Sequence, residues 1–260
     1  MNLTMLSSYL NKLGLSELPQ ASLENLHQLH ELQHKKIPFE NFDVVDKQAI
    51  DLSEQALFAK LVTNQRGGYC FELNGLLLRV LQALGFEARP LLARVHIGVN
   101  ATARTHQVSL VTIDNQWWLV DAGFGSNTPR APLQLKLNNE VTTDLQTFRF
   151  VEDESFGIML QLQVENAWTN LYSLDMSYVC EADIACANHF TASYSGSVFT
   201  SNCIAARRID GGIITLLNDK LKIKTADANE EIVLTTEQDY FVALASYFGI
   251  KTQVPYAKIA

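Results

Sequence analysis

Arg66-Gly67-Gly68-Tyr69-Cys70-Phe71-Glu72-Leu73-Asn74 is the stretch on which the organisation of this chain turns. Its two glycines let the backbone turn tightly, and a helix then runs from Cys70 through Leu84 to Gly85, a residue suited to the left-handed position after a helix. Working outward, everything before it is helical by period. Apolar residues recur at Leu3, Leu6, Leu10 and Leu13, then Leu23, Leu26 and Leu29, then Leu57, Phe58, Leu61 and Val62 behind a Ser53 cap. After Gly85 the period changes to that of strands, predicted at 89–96, 107–113, 116–120, 147–151, 159–164 and 168–173 between Asp/Asn/Gly-rich turns. Further strands follow at 203–209, 213–217 and 220–224, joined at Asp210-Gly211-Gly212 and Asn218-Asp219, before a helix at 237–248 capped by Thr236 and stopped by Gly249. Helices followed by strands predict an α+β chain in three segments, 1–86, 87–200 and 201–260, with no repeat or linker between them.

Composition narrows the function. Against 28 Asp+Glu stand 20 Lys+Arg, a net charge of −8, which disfavours a nucleic-acid binder because phosphate contacts need a basic surplus. With 47% hydrophobic and 18% charged residues among 260, the chain can build a substantial core and is not a disordered or fibrous sequence. No basic-then-apolar leader opens it and no stretch is apolar enough to span a bilayer, so a soluble cytoplasmic protein without membrane partners is expected. Cys70, Cys180, Cys186 and Cys203 are too few for a disulfide scaffold and are not spaced as metal knuckles, so reduced thiols and no bound metal are expected.

Cys70 is the residue best placed for chemistry. At a helix start, the partial positive charge of first-turn N–H groups stabilises a thiolate and so favours a nucleophile. Such a nucleophile needs a base and a group to orient that base. The hairpin around Asp114-Asn115 supplies both: if Ile113 pairs with Gln116, His106 falls opposite Gly123 and Asp121 lies diagonally on the same face, within about 7–8 Å at Cα. A one-residue slip would separate them, leaving a histidine on a strand satisfied by a nearby carboxylate. A Cys, His, Asp set of this kind also suits a thiol hydrolase or a transglutaminase-like amide-processing enzyme, and a non-catalytic binding module could keep the fold.

The run RGGYCFELN at 66–74, together with IPFENF at 37–42, THQVSLV at 105–111 and DAGFG at 121–125, resembles the arylamine N-acetyltransferase family, as do the order and spacing of Cys70, His106 and Asp121. NHFTASYSGSVF at 188–199 resembles it more loosely. The resemblance implies a helical N-terminal domain, a β-barrel middle domain and an α/β C-terminal lid around a cysteine-protease-like Cys-His-Asp core. It implies acetyl-CoA as donor, an arylamine, arylhydrazine or N-hydroxyarylamine as acceptor, and a ping-pong route through an acetyl-cysteine. By matching position, Cys70 is the implied nucleophile, His106 its proton partner and Asp121 the orienting group; CoA contacts are implied around Thr102, Ala103, Gly125, Ser197 and Phe199. Two departures, Ala122 where the family often has Val and Phe42 where Leu is usual, are apolar and leave the triad intact.

Other signals compete. His30-Glu31-Leu32-Gln33-His34 is a literal H-E-x-x-H, with Glu54 downstream and His27 one turn upstream, but Lys35-Lys36 and Pro38 end the helix at once, and it reads as a partly solvated helix face. Gly123-Phe124-Gly125 lacks the third glycine of a phosphate loop, at Thr128, and reads as a tight turn. Arg207-Arg208 reads as an exposed edge guard or a CoA phosphate contact, and Trp117-Trp118 puts one ring on each sheet face.

Overall fold

A computed structural model describes residues 1–98 and 102–251. The helical segment comprises α1 (Leu3–Leu13), α2 (Leu23–Lys36), a two-residue strand β1 (Phe39–Glu40), the short α3 (Phe42–Val45), α4 (Glu54–Phe58) continued by a π-helical turn (Ala59–Thr63), and α5 (Cys70–Ala83). Its caps follow local chemistry. Asn2, Ser22 and Ser53 accept from backbone N–H groups of the first turns of α1, α2 and α4, and Gly14 takes a φ of 89° beyond α1. The apolar stripes of α1, α2 and α5 meet in one core containing Leu6, Leu10, Leu26, Leu29, Leu73, Leu76 and Leu77.

An eight-stranded antiparallel sheet follows, formed by β2 (Glu87–Val95), β3 (His106–Ile113), β4 (Gln116–Val120), β5 (Leu133–Gln134), β6 (Glu140–Thr143), β7 (Gln146–Asp153), β8 (Gly157–Val164) and β9 (Ala167–Leu174), in the order β5-β4-β3-β2-β9-β8-β7-β6. Leu119 and Leu133 near one edge share a core with Phe148, Phe150, Leu160 and Leu162 near the other, so the sheet curls into a barrel-like layer that buries its own inner face. The β3–β4 hairpin turns through Asp114 and Asn115 at φ 50° and 58°, the type I′ geometry that suits twisted strands. Ile113 pairs with Gln116, the register on which the predicted meeting of His106 and Asp121 depends.

α6 (Glu181–Ser193) and α7 (Val198–Ser201) lead to a second sheet of β10 (Ile204–Ile209), β11 (Gly212–Leu217), β12 (Lys220–Thr225) and β13 (Asn229–Val233). The closing helix α8 (Glu237–Ala243) starts at the Thr236 cap, widens into a π-helical turn (Leu244–Phe248) and stops at Gly249, φ 70°. β1 pairs with β10, Phe39 against Ala206 and Glu40 against Ala205, so the first and last segments share one sheet. No helix among the described residues is long and apolar enough to cross a membrane.

Gly67 and Gly68 serve a different purpose from the tight turn expected of them. Neither has a positive φ; that conformation falls on Gln65, at 52°. A Cβ on Gly67 would lie 2.6 Å from Glu40 Cγ and closer still to the Pro38 carbonyl oxygen, and one on Gly68 would lie 2.8 Å from Glu72 Cβ. The glycines let this loop run flush beside β1, bridged Phe39 to Gly68 and bonded from Glu40 N to Gly68 O at 2.9 Å.

Candidate active site

Cys70, His106 and Asp121 come together from the first turn of α5, the first residue of β3 and the residue after β4, at 4%, 2% and 1% exposure. His106 Nε2 donates to Asp121 Oδ2 across 2.7 Å. With that nitrogen committed, Nδ1 is the one left for the Cys70 sulfur, which bears on the ring as a hydrogen-bond partner. The sulfur also lies 3.8 Å from the Thr105 carbonyl oxygen. Phe124 and Tyr172 flank the imidazole, their ring centres 4.7 and 5.1 Å from it.

Electrostatics favour a charged imidazole. Burial alone would push His106 toward the neutral form, but the Asp121 carboxylate, its hydrogen bond and the Cys70 sulfur outweigh this and raise the pKa to about 10. Burial likewise opposes the Asp121 charge, yet His106 and the donors around it hold the carboxyl below its ordinary range. Those donors use both oxygens: Oδ1 accepts from Asn74 Nδ2 and Gly123 N, each at 2.9 Å, and Oδ2 accepts from Tyr172 Oη at 2.9 Å as well as from His106.

Asn74, one turn along α5 from Cys70, ties the two halves of the site together. Its amide nitrogen reaches the Gln107 carbonyl at 2.6 Å as well as Asp121, and its oxygen accepts from Ala122 N at 2.8 Å. A Cβ on Gly123 would sit 3.1 Å from Cys70 Cα, so this turn touches the nucleophile helix directly. Neither Asn74 nor Tyr172 is singled out by sequence reasoning. Asn74 carried a signal, one helical turn from Cys70 within the same run; Tyr172 carried none, because its contact depends on how the sheet curls.

A half-buried ion network anchors the start of α5. Glu40 binds Arg66 at 2.8 Å, Arg66 binds Asp43 at 2.9 Å, and Lys60 binds both Asp43 and Glu72 at 2.7 Å. Glu72 closes a capping box by accepting from Tyr69 N at 3.1 Å. Burial drives its pKa up, against the pull of Lys60, to about 7.

The remaining predicted positions fall as follows. Thr102 and Ala103 are exposed on the approach to His106, with Thr102 N bonded to Val95 O at 3.2 Å. Gly125, φ 67°, follows Phe124. Ser197 caps α7, and the Phe199 ring lies 6.1 Å from that of Tyr69, the neighbour of Cys70.

Two expectations are corrected. His30 and His34 are buried, not solvated, because α2 turns this face toward the Asp121 segment; His30 Nε2 meets the Asp121 carbonyl oxygen at 2.8 Å. Among the described residues no group of three or more His, Cys, Asp or Glu is arranged to hold a metal ion. Nor is Arg207-Arg208 an exposed edge guard, since β10 lies between β1 and β11. Arg208 is buried and donates to Arg130 O at 2.8 Å, while Arg207 donates to Tyr247 O at 3.1 Å. Trp118 packs edge-on to His27 at 5.7 Å, and Trp117 is exposed.

The profile of the N-acetyltransferase family matches residues 22–256. An arylamine N-acetyltransferase / N-hydroxyarylamine O-acetyltransferase of Salmonella typhimurium is 34% identical over 251 residues, covering 95% of this chain and 89% of that protein. An arylamine N-acetyltransferase of Escherichia coli is 35% identical over 218 residues, covering 82% of this chain and 77% of that one. Among solved structures, the Salmonella typhimurium arylamine N-acetyltransferase superposes with a TM-score of 0.92 at 31% identity over 99% of this chain and 97% of that one. The Mycobacterium marinum enzyme in complex with CoA superposes at 0.88 and 32% identity over 95% and 93%. Likeness of this extent in both sequence and fold, spanning the segments that carry Cys70, His106 and Asp121, places the chain in the arylamine N-acetyltransferase family.

Proposed function

We propose that the protein transfers an acetyl group from acetyl-CoA to the nitrogen of an arylamine or arylhydrazine, or to the oxygen of an N-hydroxyarylamine, with Cys70 as nucleophile, His106 as proton carrier and Asp121 as the group that orients the imidazole. The observation that carries this reading is the buried Cys70–His106–Asp121 arrangement, whose imidazole is held charged beside the sulfur. An imidazolium next to Cys70 favours the thiolate. The thiolate attacks the thioester carbonyl, the oxyanion draws on backbone N–H groups at the start of α5, and the CoA thiol leaves with a proton from His106. The acceptor then attacks acetyl-Cys70, His106 removes its proton, and the acetylated product departs as the C–S bond breaks and the thiolate re-forms beside the imidazolium.

Thr102, Ala103, Gly125, Ser197 and Phe199 are proposed as the CoA contacts. Support comes from position: the first two precede Thr105 and His106, Gly125 follows Phe124 against the imidazole, and Phe199 packs near Tyr69. The division into a helical domain at 1–86, a barrel at 87–200 and a lid at 201–260 is proposed as the functional one, with the nucleophile on the first and its partners on the second. A cytoplasmic location fits a CoA-dependent enzyme.

The test is intact-mass measurement of the purified protein after incubation with acetyl-CoA alone, with peptide mapping and Cys70→Ala as control. One acetyl group on Cys70, absent from the variant, is expected. No adduct and no released CoA would sink acetyl-CoA as donor; wild-type turnover by Cys70→Ala would sink the nucleophile.

A further inference from the structure

The H-E-x-x-H run left one residue without a role. His30 is fully buried on α2, and its Nε2 lies 2.8 Å from the backbone oxygen of Asp121. A carbonyl oxygen only accepts, so Nε2 carries the hydrogen and His30 is the Nε2–H tautomer. Its Nδ1 is buried without a hydrogen-bond partner.

That contact falls where the sheet stops holding the chain. The β3–β4 ladder ends at the pair Ser109 and Val120, so Asp121 is the first residue past it. From there the backbone is fixed by side chains. His30 takes Asp121 O, Asn74 takes Ala122 N at 2.8 Å, and the Asp121 carboxylate itself takes Gly123 N at 2.9 Å. Asn74 and Gly123 act on Oδ1, whereas His106 and Tyr172 act on Oδ2, so the carboxylate meets its four donors together only when the backbone of residue 121 carries it to them.

We propose that His30 is a positioning residue of the acyl-transfer site: by donating Nε2–H to the Asp121 carbonyl oxygen, it pins the backbone from which that carboxylate reaches His106. This rests on the roles given above to Cys70, His106 and Asp121. His30 suits the task because it stays neutral. Burial outweighs the pull of Asp121 and, with Arg208 and His27 nearby, lowers its pKa to about 4, and His34 packs edge-on at 6.2 Å without adding charge because burial holds it well below its ordinary value.

The test compares His30→Gln, whose amide nitrogen can take the place of Nε2–H, with His30→Leu, which has no donor. Cys70 alkylation by iodoacetamide is followed by peptide mapping from pH 5 to 10, with circular dichroism to check the fold. It needs no acyl donor, so it is independent of whether acetyl-CoA is the substrate. Expected is a loss of about tenfold in the His30→Leu alkylation rate at pH 7, with its profile displaced to higher pH, because a misaligned imidazolium stabilises less thiolate and a free thiol of pKa about 8.5 sets the limit at about 30-fold. His30→Gln is expected to keep the wild-type profile. If His30→Leu does not fold, His30→Met fills the same space flexibly and replaces it. A non-donor variant with the wild-type rate and profile would overturn the role of His30, as would a His30→Gln as slow as His30→Leu. A wild-type Cys70 whose alkylation rate falls from pH 10 to pH 5 as steeply as that of the exposed Cys180 and Cys186 would instead overturn the triad assignment on which the role depends.

Discussion

Tyr172 donates its phenolic hydrogen to Asp121 Oδ2 across 2.9 Å, reaching from β9 to the oxygen that also faces His106. Burial and the adjacent carboxylate push its pKa well above the ordinary tyrosine value, so it remains a donor at every working pH. Tyr172→Phe keeps the ring against His106 and Phe124 and removes only that bond. A hydrogen bond to a charged group is worth about 1.5–3 kcal/mol, so urea denaturation of this variant should show a loss of that size. Turnover should fall far less than in triad variants, since three other donors still hold the carboxylate.

Asp121→Asn presents a different fault. An amide can place its nitrogen against His106 Nε2, turning the imidazole to the wrong tautomer and removing the charge that keeps it protonated. The expected loss in kcat is about 10⁴-fold by analogy with Ser-His-Asp sites, with the fold retained. Steady-state kinetics beside circular dichroism checks both halves; a loss of only a few-fold would mean that Asp121 is structural.

The raised pKa of His106 has a stability consequence of definite sign. From its ordinary value of 6.5 up to about 10, the folded state keeps a proton that the unfolded chain has lost. The stabilisation is therefore complete below pH 6.5 and drains away as pH rises toward 10. Glu72, raised from 4.5 to about 7, acts with the same sign over a lower window, because the unfolded chain ionises first and stability falls between those values. Unfolding curves at pH 5, 7 and 9.5 should show a progressive decline. Asp121→Asn should flatten the upper part and Glu72→Gln the lower; equal slopes in all three proteins would refute the argument.

Glycine substitutions separate scaffold from chemistry. Gly67→Ala drives a methyl into the Pro38 carbonyl and Glu40, backbone and buried side chain that cannot give way, and should cost about 1–3 kcal/mol or more by thermal denaturation. Gly123→Ala meets Cys70 Cα and Asn74 Nδ2 at 3.1 Å, a tight fit that a shift of a few tenths of an ångström relieves. This variant should fold nearly as well as wild type yet acetylate Cys70 more slowly, read by rapid-quench mass measurement.

Much of this was legible before any coordinates. The regular periods of α1, α2, α5 and β2 to β4 announced themselves, and the Asp114-Asn115 turn carried the register as far as Ser109 opposite Val120; His106 and Asp121 meet beyond that ladder, not as the strand neighbours expected from pairing His106 with Gly123. What stayed hidden had a physical reason. α6 buries Asn188 and Thr191 while exposing Phe190, so it has no apolar stripe to read. β1 and β5 are two residues each and exist only because a neighbour pairs with them. The burial of His30 depends on which way α2 faces, and the lysine pair after it suggested solvent. The glycine pair was read for turning when its use is proximity, a distinction between φ and neighbours that only tertiary structure makes.

The pairing of β1 with β10 also sets an order of events. Phe39 is bridged on one side to Gly68, in the loop that presents Cys70, and on the other to Ala206, far along the chain. As the polypeptide leaves the ribosome, the cysteine, histidine and aspartate all emerge before β10, the strand that pairs with the far side of β1, exists. Independent folding of an N-terminal unit is the usual course during synthesis. Here β1 stays an unpaired edge until residue 206 arrives, so a nascent chain carrying Cys70, His106 and Asp121 still lacks the sheet that backs the cysteine loop.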